Sequence, residues 1–190
     1  EFRRVLFRSE TASVFGEMLT FKKLLNDTTD KKQRKAMLAA KVEDMINTVV
    51  RQIAFYTFER KVHTERRNGE LTSDKINEIW MSVQTESLGP AIELKPGYET
   101  FWSYIPHFIH SPFYVYAYAF GDCLVNSLYA VYEQANEGFA ERYLAMLAAG
   151  GTKHHSELLK PFGLDARAPS FWQGGIGVIE RMIGELEALG

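Results

Sequence analysis

The chain has 190 residues, a hydrophobic fraction of 46% and a formal net charge of -2. This length suits one domain with a substantial core. The charge argues against a protein that binds the phosphate backbone of nucleic acids, and the apolar stretches are too short to span a bilayer. Cys123 is the only cysteine. No intramolecular disulfide or thiolate metal cage can therefore form, which indicates a reducing, cytoplasmic setting.

The first nine residues, EFRRVLFRS, have neither the apolar run of a signal peptide nor the pattern of a capped helix. We interpret residues 1–9 as a non-native assembly scar, because Val5–Ser9 resembles the in-frame translation of a common sequencing adapter. An ordinary basic arm is the alternative. Residues 10–190 are then expected to begin in the middle of a larger protein.

Apolar residues recur at three- and four-residue spacing along most of the chain, which predicts helices. Glycine, proline and capping residues divide the pattern. The predicted helices cover 10–26, 31–67 (one very long helix or two in line), 73–88, 112–136, 138–149, 153–160 and 169–189. Residues 91–111 are irregular and rich in aromatics. No sustained alternation of period two occurs, so the predicted fold class is all-α.

Glu10 and Glu17 are nearly two helical turns apart and therefore lie on the same side of the first predicted helix. Val14, Phe21 and Leu24 lie close to the same line. Carboxylates buried on such an apolar face need a cation or a dense set of hydrogen-bond donors to offset their desolvation, and a metal ion would do this. The alternative is that this face is exposed and both acids are merely solvated.

The run ETASVFGEMLTF at 10–21 resembles the segment that follows the zinc-binding helix in oligoendopeptidase F and its thimet-oligopeptidase-like relatives. Further similarity lies in RQIAFYTFE at 51–59, GELT at 69–72 and ELLKPFGLD at 157–165. The resemblance covers 10–189. It implies the C-terminal portion of a multi-helix, thimet-oligopeptidase-like catalytic domain that hydrolyses short peptides.

The same resemblance implies one Zn²⁺ ion, with Glu10 as the third ligand and Glu17 orienting the histidine ligands. Those histidines belong to an HExxH helix in the family, and no HExxH occurs in this sequence. The histidine ligands and the general-base glutamate are therefore expected to lie upstream, in a missing region. One glutamate binds zinc weakly, so this chain alone is expected to be catalytically inactive.

A second group of candidate residues lies in the sequence PHFIHSPFYVYAY at 106–118. Pro112 is well placed to open a helix, on which Tyr114 and Tyr118 would project together. From the residues alone, an aromatic core stripe is the alternative. The resemblance implies that His107 contacts the substrate backbone. It also implies that Tyr118, with Tyr114 as second candidate, donates to the oxyanion formed during hydrolysis.

A rival hypothesis is a non-enzymatic α-helical interaction module that binds a peptide or protein through the aromatic region 98–120. This hypothesis predicts that the region is exposed. The sequence does not indicate an oligomeric state, and no nucleic-acid or membrane partner is expected.

Overall fold

The computed structural model describes residues 11–134 and 137–190. Within these ranges the chain forms helices and connecting segments but no strand, so the all-α prediction is confirmed. The α-helices are α1 (Thr11–Asp27), α2 (Lys31–Ile46), α3 (Gln52–Glu65), α4 (Ser73–Leu88), α5 (His107–His110), α6 (Tyr116–Gln134), α7 (Phe139–Ala149), α8 (His155–Leu159) and α9 (Pro169–Ala188). Short 3₁₀ helices cover Arg66–Asn68, Tyr98–Tyr104, Gly150–Thr152 and Lys160–Phe162.

Most predicted helix boundaries agree with the structure to within a few residues. Of the two candidate caps, Thr72 and Ser73, Thr72 caps α4, because its hydroxyl accepts the Lys75 N–H at 3.2 Å. The long helix predicted over 31–67 is divided by a π-helical turn, Asn47–Arg51, between α2 and α3. The β-branched residues at 48–50 disfavour a regular α-helical turn there.

The prediction that Pro112 opens a helix is wrong. Helix α6 begins at Tyr116, and Phe113 has a φ of +59°, which a right-handed helix cannot contain. The Phe113 N–H donates to Glu59 Oε1 at 2.7 Å. A contact between residues so far apart in sequence therefore overrides the local preference of proline for a helix start. The segment predicted as irregular also contains α5.

The chain forms two compact units, one made of Glu1–Met45 with Phe120–Gly190 and the other of Ile46–Ala119. We refer to them as the discontinuous unit and the continuous unit. The core of the continuous unit consists of Ala54, Phe55, Phe58, Ile79, Trp80, Val83 and Val115. Trp80 is fully buried between α3 and the 3₁₀ helix Tyr98–Tyr104, and its Nε1–H donates to the Tyr98 carbonyl at 2.9 Å.

In the discontinuous unit, Phe15 of α1 is buried among aromatic side chains of α6 and α7. The ring centroids of Tyr129, Tyr132, Phe139 and Tyr143 lie 4.6–6.1 Å from that of Phe15. Helix α9 contacts α6 through Gly175, where an added Cβ would lie 2.8 Å from the Cys123 carbonyl oxygen. The glycine-rich run at 174–177 therefore allows close helix packing.

No helix in the described ranges combines the length and the hydropathy needed to cross a membrane.

Candidate functional site

His107, Tyr114 and Tyr118 lie together in the continuous unit and are called the His–Tyr cluster below. His107 Nε2 lies 3.2 Å from the phenolic oxygen of Tyr118. The ring centroids of His107 and Tyr114 are 6.2 Å apart, and those of Tyr114 and Tyr118 are 5.3 Å apart. The structure therefore brings together the three residues that the sequence singled out in this region, each half-buried.

A short turn, rather than a shared helix, places Tyr114 beside Tyr118. The Ser111 N–H donates to the His107 carbonyl at 3.0 Å, and the Tyr114 N–H donates to the Ser111 carbonyl at 3.2 Å. Tyr114 thus precedes α6, and its carbonyl accepts the Ala117 N–H at 2.9 Å. The predicted proximity of the two tyrosines is present, but the predicted reason for it, a helical spacing, is wrong.

The residues adjacent to the cluster anchor it to the core. Phe108, next to His107, packs against Phe55 and Phe58 of α3 with ring centroids 5.7 and 5.1 Å away. Val115, next to Tyr114, is 1% exposed. The region 98–120 is therefore mixed: it contributes to the core, while other members such as Tyr104, at 74% exposure, face solvent.

The chemistry available to the His–Tyr cluster is hydrogen-bond donation to a developing negative charge. In the tautomer protonated at Nε2, His107 donates to the Tyr118 oxygen, and the phenolic O–H can donate to a substrate oxygen. In the other tautomer Tyr118 donates to His107. A phenol held by an imidazole can stabilise an oxyanion at little reorganisation cost.

Glu59 of α3 belongs to the surroundings of the cluster, and its role was missed at the sequence level. Its side chain is 2% exposed, and burial raises the pKa of its carboxyl above the ordinary value, although the Phe113 N–H, His63 and His107 act in the opposite direction. The sequence indicated a buried acid only through the position of Glu59 directly after the mostly apolar run Phe55–Phe58.

Glu17 lies on an exposed part of α1, with 56% of its side chain accessible. Its Oε1 accepts from Lys41 Nζ at 2.6 Å, and Lys41, which is only 7% exposed, lies 3.5 Å from an Asp44 oxygen. The face of α1 that carries Glu17 also exposes 53% of Leu24, whereas the buried residues of α1 are Thr11, Phe15, Met18 and Leu25. Glu10 lies outside the described residues.

Asp122 of α6 is buried in the same unit, and Asn126 Nδ2–H donates to its Oδ2 at 2.8 Å. Burial raises the pKa of Asp122 to about 6, against the opposing effects of Lys41 and the Asn126 hydrogen bond. The negative charges of Asp44 and Glu17 contribute to the same upward shift of the pKa.

Within 11–134 and 137–190, no group of three or more His, Cys, Asp or Glu side chains is arranged to hold a metal ion. The described residues therefore do not fit a complete zinc site by themselves. Cys123 is an unsuitable nucleophile, because burial raises the pKa of its thiol to about 12.

The model of Peptidase family M3 matches residues 2–178 of the chain. The chain is 30% identical to oligopeptidase PepF of Bacillus subtilis over 97% of its own length and 28% of that protein. It is 29% identical to the plasmid oligoendopeptidase F of Lactococcus lactis subsp. cremoris, over 97% of the chain and 31% of the relative.

The crystal structure of oligoendopeptidase-F from Enterococcus faecium superposes with a TM-score of 0.87 and 29% identity, covering 98% of this chain and 36% of that one. The chain thus spans less than a third of the length of the two curated relatives. The family match extends over most of the 190 residues, and the chain therefore belongs to peptidase family M3.

Proposed function

We propose that this chain is the C-terminal part of a zinc-dependent endopeptidase that hydrolyses short oligopeptides. In this proposal the His–Tyr cluster binds the scissile region of the peptide. Membership of peptidase family M3 and similarity to oligoendopeptidases support the reaction type. The observation that carries the roles of individual residues is the contact between His107 Nε2 and the Tyr118 hydroxyl at 3.2 Å.

Negative charge develops on the carbonyl oxygen when water attacks a peptide bond. Tyr118 donates its phenolic hydrogen to that oxygen, and His107 holds the phenol through Nε2 while contacting the substrate backbone. Tyr114 packs edge-on against Tyr118 and limits its rotation, with its own hydroxyl as a second donor. Removal of one such donor costs about 10²–10³ in kcat in other acyl-transfer enzymes.

Zinc and its ligands are also part of the proposal. Glu10 is one ligand, and Glu17, held by Lys41 at 2.6 Å, helps to orient the others. Zinc, when bound, supplies a Lewis acid that polarises the carbonyl and lowers the pKa of water. The chain has no HExxH. The remaining ligands and the general base therefore come from other parts of the peptidase, in keeping with the 28% of PepF that this chain spans.

The proposal extends to the activity of the isolated chain and to its cellular compartment. The isolated chain is inactive, because it lacks the base and most of the metal site. The peptidase acts in the cytoplasm, a setting supported by its single buried cysteine, Cys123. Its partners are short peptides.

The test compares the purified 190-residue chain with the product of the complete gene on an internally quenched oligopeptide. We expect hydrolysis by the complete product alone, its loss in a chelator and its recovery on adding Zn²⁺. No hydrolysis by the complete product would contradict the proposed function. Zinc-dependent cleavage by the 190-residue chain would contradict the inactivity of the fragment.

A further inference from the structure

Glu59 occupies an unusual environment for an ionisable group. It is 2% exposed on α3, and its Oε1 accepts the Phe113 N–H at 2.7 Å. Its Oε2 is buried and has no hydrogen-bond partner among the described residues. A carboxyl group in such a place is costly to desolvate, so its presence requires a reason beyond packing.

The residue bound by Glu59 has a strained backbone. Phe113 is the one non-glycine residue in 11–134 and 137–190 with a positive φ, at +59°. Bulky side chains rarely adopt this conformation, and it persists only where surrounding contacts hold it. The Glu59 hydrogen bond and the ring of His63, whose centroid lies 4.7 Å from that of Phe113, are two such contacts.

The strained residue lies in the turn that connects the members of the His–Tyr cluster. The turn begins at the hydrogen bond that the Ser111 N–H donates to the His107 carbonyl. Tyr114 follows Phe113 directly in the sequence. A change in φ at Phe113 would move Tyr114 away from His107 and alter the start of α6, which carries Tyr118. The backbone conformation of Phe113 therefore affects whether the side chains of His107, Tyr114 and Tyr118 lie together.

Helix α3 supports both ends of this turn. Phe55 and Phe58 pack against Phe108, beside His107, and Tyr56 packs against Tyr116 with ring centroids 5.7 Å apart. These apolar contacts fix the distance of the segment from α3 but do not select a backbone conformation. The hydrogen bond of Glu59 is, by contrast, a directional contact from α3 to the turn.

We propose that Glu59 is a positioning residue for the His–Tyr cluster, its carboxylate holding the Phe113 turn so that His107, Tyr114 and Tyr118 converge. The consequence for peptide hydrolysis rests on the proposed function. The placement of the cluster itself does not, because it can be measured without any hydrolysis.

The test uses nuclear magnetic resonance on the 190-residue chain with Glu59→Met and Glu59→Gln. Methionine retains the volume without an acceptor, whereas glutamine retains an acceptor oxygen. The hydrogen bond to the Glu59 carboxyl group should slow exchange of the Phe113 amide by about 10-fold. In Glu59→Met we expect that protection and the nuclear Overhauser effects between the His107 and Tyr118 rings to be lost. In Glu59→Gln both should largely remain.

Gln84→Met is the matched control. Gln84 is 0% exposed in the same unit, its Oε1 accepts from the Tyr98 hydroxyl at 3.3 Å, and its Nε2 has no partner among the described residues. We expect this change to alter the denaturation midpoint while leaving the Phe113 exchange rate and the ring contacts as in the parent chain. The control separates a positioning role from a general effect of removing a buried polar group.

Unchanged Phe113 protection and ring contacts in Glu59→Met would overturn the proposal. If Glu59→Met does not fold, the exchange rate of the Phe113 amide in the parent chain tests the proposal instead. Exchange at the rate of an unstructured peptide would overturn the proposal, and a protected amide would support it. In the complete peptidase, a displaced cluster with undiminished hydrolysis would support the positioning role and contradict the proposed function.

Discussion

His107 Nε2 and the Tyr118 hydroxyl lie 3.2 Å apart, although the two residues are eleven positions apart in sequence. The contact makes the orientation of the phenol depend on the tautomer of the imidazole. Since Tyr114 also packs against both rings, the phenol of Tyr118 is held on two sides. Preorganisation of this kind is what stabilises an oxyanion without a reorganisation cost.

The first prediction concerns Tyr118. In the complete peptidase, Tyr118→Phe should lower kcat by about 10²–10³ and change KM little, because the lost hydrogen bond strengthens only as charge develops. Steady-state kinetics on an oligopeptide substrate measures both constants. Tyr104→Phe is the control, since Tyr104 is 74% exposed and its ring lies 5.3 Å from that of Phe101. A kcat within twofold of the parent in Tyr118→Phe would remove Tyr118 from the proposed mechanism.

Features that depend on neighbours along the chain were predictable. The all-α class follows from the helical spacing of apolar residues, and the Thr72 cap follows from local hydrogen-bonding chemistry. The proximity of Tyr114 and Tyr118 was also predicted, although a turn produces it in place of a helix. The assignment of roles to His107 and Tyr118 needed the family resemblance, because the residues alone favoured an aromatic core stripe.

Features that depend on contacts between distant segments were not predictable from one sequence. Glu59 and Phe113 are 54 residues apart in sequence. The sequence around Phe113 gives no indication that its N–H donates to a distant carboxyl group. The partner of Glu17 could not be predicted for the same reason, since Lys41 lies 24 residues away on another helix. Local patterns identify helices, whereas tertiary contacts select turns and ion pairs.

The second prediction is a pH dependence of stability caused by Asp122. Its pKa is about 6 in the folded chain against an ordinary value of 3.8, so the folded state binds more protons between these values. The contribution of Asp122 to the free energy of unfolding is then largest below about pH 4 and falls by up to about 3 kcal/mol as the pH rises through 6. Asp122→Asn should lack this component, because an amide does not ionise.

Urea unfolding of the 190-residue chain at several pH values measures this effect. The groups that act on Asp122 are Lys41, Asn126, Asp44 and Glu17, and all of them remain in the variant. Asp74→Asn is a suitable control, since Asp74 is an exposed residue of the first turn of α4 and its replacement should keep the parental slope. Equal slopes for Asp122→Asn and the parent would contradict the prediction.

The third prediction concerns Glu10 as a zinc ligand. Glu10→Gln in the complete peptidase should reduce bound zinc and hydrolysis together, because an amide is a poorer ligand than a carboxylate for this cation. Zinc content after dialysis and the rate of peptide cleavage are the measurements. Glu43→Gln is the control, as Glu43 is an exposed acid on α2. Full zinc occupancy with normal cleavage in Glu10→Gln would exclude Glu10 from the ligand set.

The fourth prediction compares two glycines of α9. A Cβ at Gly175 would lie 2.8 Å from the Cys123 carbonyl oxygen and 3.2 Å from its Cα, both backbone atoms that cannot turn aside. Gly175→Ala should therefore lower the free energy of unfolding by about 1–3 kcal/mol as α6 and α9 are forced apart. Urea denaturation of the variant and of the parent 190-residue chain measures the change in the free energy of unfolding.

Gly184→Ala tests the same chemical change in the same helix without the close contact. Nothing lies within 4 Å of a Cβ at Gly184, so the gain in helix propensity should raise stability by up to about 1 kcal/mol. The two substitutions should thus have opposite signs, although their effects on the unfolded chain are alike. A Gly175→Ala variant as stable as Gly184→Ala would mean that α6 and α9 do not pack at this distance in solution.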